Sequence, residues 1–417
     1  MSAFEQLPER YETIRADQEQ TYRDLHRHPE LSHQETRTAG KVAQRLTAWG
    51  CRVEQHLGGT GVVGVLSNGD GPTVLMRADM DALPVYEQTG AAYASTVEAT
   101  DAAGHRVPVM HACGHDVHVA CLLGAVRLLA AHSQTWRGTV VALFQPAEET
   151  GDGARGMVDD GLATRIPAPD VCMGQHVLPG RSGHVATRVG PVLSAADSMR
   201  VTVYGRGGHG SMPQNTIDPV VLAAMIVVRL QTVVAREVAP IEPAVLTVGS
   251  IRAGSKSNII PDEAVLELNI RTYTEQTRRR VRDAMVRIVH AECAASGTTR
   301  EPDIEVYDSF PLTVNDAAAT QRVATAFASH FGERAGDLAL QTASEDFSDI
   351  PRALDAPYTY WGIGGTDPAQ WDAAEQAGTV AATVPANHSP LFLPVIQPTL
   401  RTGTEALLVA AGAWLAA

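Results

Sequence analysis

The sequence predicts an α/β fold: a discontinuous domain with a central mixed sheet covered by helices, interrupted by a smaller ferredoxin-like α+β insert. Three observations lead there. Strand-like and helix-like runs alternate through the first part of the chain, as in "PTVLMRAD", "VACLLGAVRLLAAH" and "GTVVALFQPAEE". From about Ala186 the rhythm changes to β-α-β-β-α-β, the order of a split βαβ sandwich. After "PLTVNDAAAT" the first rhythm resumes. Residues 1–187 and 311–417 are therefore assigned to one domain, and residues 188–310 to an inserted lid.

The elements follow in order. A helix begins near Thr36, with Leu46 and Trp49 on one side and Gly50 as its stop. "TGVVGVLSN" and "PTVLMRAD" are short strands, and the apolar helix "VACLLGAVRLLAAH" directly follows "MHACGHD". "GTVVALFQPAEE" is a strand ending in two glutamates. In the insert, "SMRVTVYG", "AVLTVGSIRAG", "EAVLELNIRTY" and "DIEVYDSF" are strands; "DPVVLAAMIVVRLQTVVARE" and "TRRRVRDAMVRIVHAECAA" are helices. Gly183 and Gly190 lie near the junction, where glycine-rich hinges would let a lid close.

A chain of 417 residues, 44% hydrophobic, with 36 glycines and 24 prolines, is globular and long enough for two or three folding units. Its formal charge of −14 opposes a nucleic-acid or anionic-membrane surface. The basic run Thr277–Arg287 has helical spacing and reads as a solvated face. No apolar run of about 20 residues and no signal-peptide core is expected, so the protein reads as cytoplasmic. The five cysteines, Cys51, Cys113, Cys121, Cys172 and Cys293, have no framework spacing and fit reduced thiols. Four sit in apolar settings as core residues.

Cys113 does not. It is separated from His115 by one glycine, and thiolate with imidazole is a donor pair for zinc and similar divalent ions. Alone, the pair reads more readily as buried core residues. "FQPAEETGDG" places Glu148 and Glu149 past a strand's carboxyl end, where open α/β sheets carry their sites. One carboxylate there can bind a metal while its neighbour acts as a base. His176 in "MGQHVLPG" and His388 in "ANHSP" have similar settings, and each taken singly reads as structural. Together, five donors and a second glutamate point to a metal site. "GRGGHG" matches a dinucleotide fingerprint, but Pro213 interrupts before the helix and no acidic strand end follows, so its glycines are read as presenting His209. Neither a P-loop nor a serine-nucleophile elbow occurs.

The set "RADMDALP", "MHACGHD", "QPAEE", "GQH", "GGHGSMP", "SNIIPDEA", "SEDF" and "NHSP" resembles peptidase family M20, most closely its amidohydrolase branch, subfamily D. That branch includes hippurate, indole-acetyl-amino-acid and other N-acyl-amino-acid hydrolases. The similarity runs from about Leu25 to Pro390. It implies two divalent metal ions, zinc first and manganese, cobalt or nickel as alternatives, held by Cys113, His115, Glu149, His176 and His388, with Cys113 bridging. It implies Glu148 as general base, His209 polarising the substrate carbonyl, and Asn258 and Arg271 binding substrate. It also implies a homodimer through the lid and an N-acyl amino acid substrate.

Asp79 and Asp81 stand at the strand end where other branches use His-x-Asp, with Arg77 in the histidine's place; the resemblance makes Asp79 a residue that orients a ligand. Pro394 and Val395 replace the branch's usual acidic pair, and Gln214 its frequent histidine. Two other readings stay open: a dipeptidase or carboxypeptidase of the same family, and a non-catalytic protein that binds acyl amino acids.

Overall fold

The computed structural model describes residues 4–416. They divide into two compact units. Leu193–Thr313 and the short segment Gln341–Glu345 form the smaller, and the flanking residues form the larger. The return of Gln341–Glu345 to the smaller unit differs from the single uninterrupted insert expected from the sequence.

The larger unit is built on an eight-stranded mixed sheet. Its strands lie in the order Arg52–Leu57, Gly61–Asn68, Gly138–Gln145, Thr73–Asp79, Val171–Arg181, Tyr358–Thr366, Val185–Thr187 and Ala335–Asp337. The four central strands run parallel. Gly61–Asn68 and Arg52–Leu57 add antiparallel on one side, and Val185–Thr187 pairs antiparallel on the other. A parallel centre needs both faces covered, and the residues oblige: Tyr358–Thr366 is buried at every position, and Thr73–Asp79 at all but its first. Register sets Asp79 level with Gln145, and His176 level with Gly362.

The helix His115–Ala131 is buried along almost its whole length and apolar beyond its first turn except at Arg127, as expected of a helix enclosed in a core. It packs against Arg15–Arg27, Ile396–Leu415 and the strand Thr73–Asp79. Its N-cap is Gly114 at φ 86°, a left-handed conformation in which a Cβ would sit 2.4 Å from Val177 Cγ1. Only glycine fits between Cys113 and His115. The Thr36–Ala48 helix ends as expected, one residue before Gly50, which has φ 83°.

The smaller unit has its own core and a four-stranded antiparallel sheet, ordered Ala244–Ala253, Glu263–Thr272, Ala195–Tyr204, Asp303–Phe310. Helices Pro219–Thr232 and Glu275–Ala295 contribute Leu222, Ile226, Leu230, Val281, Met285 and Ile288 to that core. Asp218 caps the first by accepting from the Val220 and Val221 amides, and Thr274 caps the second. Arg278, expected on a solvated face, instead holds the buried Asp197 carboxylate at 2.6 and 2.9 Å.

A second difference concerns Pro219–Glu237. The helix continues into a π-helical turn, and by length and composition the 19-residue segment is apolar enough to cross a membrane, contrary to expectation. Its composition has a local cause: one face is core, while Val220, Val221, Met225 and Val228 are exposed on the other.

Candidate metal centre

Four segments of the larger unit bring the predicted donors together. Cys113 and His115 flank the left-handed Gly114 at the head of the buried helix. Glu148 and Glu149 follow the strand Gly138–Gln145 through Ala147, whose φ is 50°. His176 sits inside the strand Val171–Arg181, not at its end as expected, because pairing with Tyr358–Thr366 carries that strand on through Pro179. His388 has φ 71°, and its amide donates to the Ala112 carbonyl at 2.8 Å.

The donor atoms fall into overlapping groups: Cys113 with His115 and His176; Cys113 with Glu149 and His388; His115 with Glu148 and Glu149. Cys113 Sγ lies 3.5 Å from His176 Nε2, and Glu149 Oε2 lies 3.4 Å from His388 Nε2. His115 Nε2 is 3.8 Å from Glu149 Oε1 and 3.9 Å from Glu148 Oε2. The His388 side chain is 55% exposed while His115 is fully buried, so the cluster opens to solvent on the His388 side.

The residues fit divalent cations. Buried polar atoms ordinarily have partners, yet His115 Nε2 and Glu149 Oε1 have no hydrogen bond, and they face each other. Burial and the charges of Glu149 and Glu148 push the Cys113 thiol far above its ordinary range, so a thiolate there needs a compensating positive charge. Burial opposes a charged His115, but Asp79, Asp81 and Glu149 outweigh it and raise the imidazole to about 10. A field that holds a proton so firmly at that position favours a metal ion equally. His176 is kept neutral by burial and by His118, as a ligating imidazole must be.

A supporting layer orients these donors. His115 Nδ1 donates to the Asp81 carbonyl at 3.0 Å and lies 3.2 Å from Asp81 Oδ1, which turns Nε2 into the cluster. Asp81 Oδ2 also accepts the Glu149 amide at 2.9 Å and the Ser32 hydroxyl at 2.7 Å. Asp81 therefore aligns two donors at once, the role that the resemblance implied for Asp79. Asp79 orients no donor directly by hydrogen bond. It holds His118 Nδ1 at 2.5 Å and pairs with the buried Arg77, and Arg77 keeps it ionised despite burial. His118 Nε2 then accepts the Val177 amide at 2.9 Å, so Asp79 acts on the His176 strand through His118. His111, by contrast, is buried with neither nitrogen hydrogen-bonded, and burial lowers it to about 4.

Glu35 is a further residue the sequence did not single out. Its buried carboxylate accepts the His33 and Ala147 amides at 2.9 and 2.8 Å and the Thr60 hydroxyl at 2.6 Å. It thereby fixes the left-handed residue that precedes Glu148.

The remaining candidates belong to the smaller unit. His209 pairs with Ile259 in a two-residue ladder and is exposed. Its Nδ1 accepts from the Ser211 amide and lies 2.7 Å from the Ser211 hydroxyl, which puts its proton on Nε2. The Asn258 side chain is exposed, and its carbonyl accepts the Gly210 amide. Arg271 Nη1 donates to the Thr342 carbonyl and Ser344 Oγ, both at 3.0 Å, so this predicted substrate contact ties down the Gln341–Glu345 segment.

The family model described as Peptidase family M20/M25/M40 matches residues 75–377, nearly three-quarters of the chain. The chain belongs to this family. Among M20 relatives, thermostable carboxypeptidase 2 of Saccharolobus solfataricus is 40% identical over 73% of this chain and 75% of its own length. N-acetyl-L-cysteine deacetylase of Bacillus subtilis is 35% identical over 82% of this chain and 79% of its own length. Among solved M20 structures, the Bacillus subtilis YXEP protein, described as a dinuclear metal binding peptidase, superposes with a TM-score of 0.75. It is 27% identical, covering 96% of this chain and 99% of that one.

Proposed function

We propose that this protein is a metal-dependent amidohydrolase that cleaves N-acyl amino acids to a carboxylic acid and a free amino acid. The observation that carries the reading is the convergence of Cys113, His115, Glu149, His176 and His388 beside Glu148, with two buried donor atoms left without partners. Two divalent cations at such a site would supply Lewis-acid polarisation of the scissile carbonyl and acidify water. Cys113, shared by two of the donor groups, is the candidate bridge. Thiolate, imidazole and carboxylate together suit zinc, with manganese, cobalt and nickel as alternatives.

The chain's own residues supply the proton chemistry. Glu148 takes a proton from the attacking water and delivers it to the amine nitrogen as the C–N bond breaks, a role typically worth about 10²–10⁴-fold. His209, with its proton held on Nε2, is assigned as donor to a substrate oxygen, and Asn258 is a candidate substrate contact. Arg271 keeps its other guanidinium nitrogens for a substrate carboxylate.

We assign the protein to homodimers through the smaller unit. Val220, Val221, Met225 and Val228 form an exposed apolar stripe, and the edge strand Ala244–Ala253 exposes Val245 and Ile251. Unpaired edges and contiguous apolar surface favour association.

The similarity to a carboxypeptidase supports a second reading, in which the substrate is a peptide. Metal analysis with turnover on acetyl, benzoyl and indole-acetyl amino acids against dipeptides and longer peptides separates the two. Faster turnover of acyl amino acids is expected, with Glu148→Ala retaining metal and losing at least about 100-fold in kcat. Preference for peptides would establish the second reading, and a Glu148→Ala protein as active as the parent would remove both.

A further inference from the structure

The Asn387 amide lies among three acceptors. Its Nδ2 is 3.1 Å from the Cys113 carbonyl, 3.1 Å from the Val177 carbonyl and 3.8 Å from Cys113 Sγ. Two carbonyl oxygens can only accept from it, so the environment itself assigns the NH2 group to this side. The residues touched are not incidental. Cys113 belongs to two of the donor groups; Val177 directly follows His176; Asn387 directly precedes His388.

The Val177 peptide is gripped on both edges. Its N–H donates to His118 Nε2 at 2.9 Å, while its carbonyl accepts from His176 Nδ1 at 2.8 Å and from Asn387 at 3.1 Å. The first of these carbonyl contacts leaves His176 Nε2 unprotonated and directed toward Cys113 Sγ. Removing the Asn387 amide would leave the Cys113 carbonyl without this donor and the Val177 carbonyl with only His176 Nδ1, uncoupling three donor-bearing segments.

We propose that Asn387 is a positioning residue of the metal centre: its amide clamps the Cys113 and Val177 carbonyls and donates a weak hydrogen bond to the Cys113 sulfur. The assignment rests on the metal-centre reading given above. Its chemistry has two consequences. Loss of the clamp misaligns Cys113, His176 and His388, and disruption of such supporting contacts typically weakens metal binding about 10–100-fold. Loss of the N–H···S contact raises the energy of the sulfur lone pair, which lowers the energy of thiolate-to-metal charge transfer.

The test uses the full-length protein loaded with Co(II), read by near-ultraviolet absorption and by competition with a chromophoric chelator. Relative to the parent, Asn387→Leu should move the thiolate-to-cobalt band to longer wavelength and weaken Co(II) binding at least about tenfold. A band at the parent position, or affinity within about twofold of the parent, overturns the assignment. If Asn387→Leu does not fold, Asn387→Asp replaces the donor with an acceptor at nearly constant volume and is judged by the same criteria. A parent protein that takes up Co(II) without any thiolate band would instead remove the metal-centre reading, so the two failures are distinguishable.

Discussion

The buried His26 makes a sharp test of the electrostatics beneath the metal centre. Its Nδ1 lies 2.7 Å from Asp116 Oδ2 and its Nε2 3.1 Å from Glu87 Oε1, and all three side chains are essentially inaccessible. Burial opposes the charged ring, but the hydrogen bonds with Asp116 and Glu87 outweigh it and raise the pKa from 6.5 to about 9. A folded-state value above the unfolded one means that the stabilisation is complete below pH 6.5 and disappears as pH rises through about 9. The rise from 6.5 to about 9, at about 1.4 kcal/mol per pH unit, amounts to about 3.5 kcal/mol. His26→Gln removes the cation and leaves two buried carboxylates without it, a change of about 3–5 kcal/mol at pH 6. At pH 10 the parent has lost the same proton, so the gap between parent and variant should shrink by about 3.5 kcal/mol. In thermal melts this is a narrowing of roughly 7 °C, taking about 2 °C per kcal/mol for a large domain. Groups that titrate alike in both proteins cancel from the difference. A gap that is constant or widens with pH would refute the assignment of a buried imidazolium.

Three further outcomes follow from the geometry. Gly114→Ala forces a Cβ to 2.4 Å from Val177 Cγ1 in a left-handed backbone, and the displacement of Cys113 and His115 should cost about 100-fold in turnover and much of the bound metal, read by metal analysis. Glu35→Gln should keep the far-ultraviolet spectrum yet lower kcat about tenfold with KM little changed, because the Ala147 amide loses its charged acceptor and Glu148 shifts; an unchanged kcat would count against this role. Val228→Glu places a charge in the exposed apolar stripe; if the proposed dimer forms through this face, light scattering should show the variant as a monomer, with the Co(II) spectrum intact.

The candidate donors were legible in the sequence only as a set, since each taken singly suits a structural role: a thiol and an imidazole around a glycine, paired glutamates after an apolar strand, histidines beside turn residues. The strand–helix rhythm was legible for a similar reason, since alternation and helical periodicity are local. What escaped was non-local. Asp79 and Asp81 differ by two residues in one apolar run, and only the fold reveals that Asp81 reaches His115, 34 residues away, and Glu149, 68 residues away. Glu35 acts across 112 residues on Ala147, and no local pattern marks it.

The continuation of the strand past His176 was hidden because Pro179 and Gly180 signal a loop. Pairing with Tyr358–Thr366 overrides that signal, and the register slips only between Gly364 and Thr366. The same reasoning explains Gln341–Glu345. "QTASE" has no element of its own, and hydrogen bonds from three residues of the smaller unit, Ser194, Arg271 and Tyr273, give it a place. Motifs thus identify which atoms can bind a cation, whereas the hydrogen bonds that aim those atoms come from residues distant in sequence. It follows that substitutions in the supporting layer, at Asp81, Glu35 and Asn387, should separate donor identity from donor alignment: the ligand atoms survive, and a fall in affinity or kcat measures alignment alone.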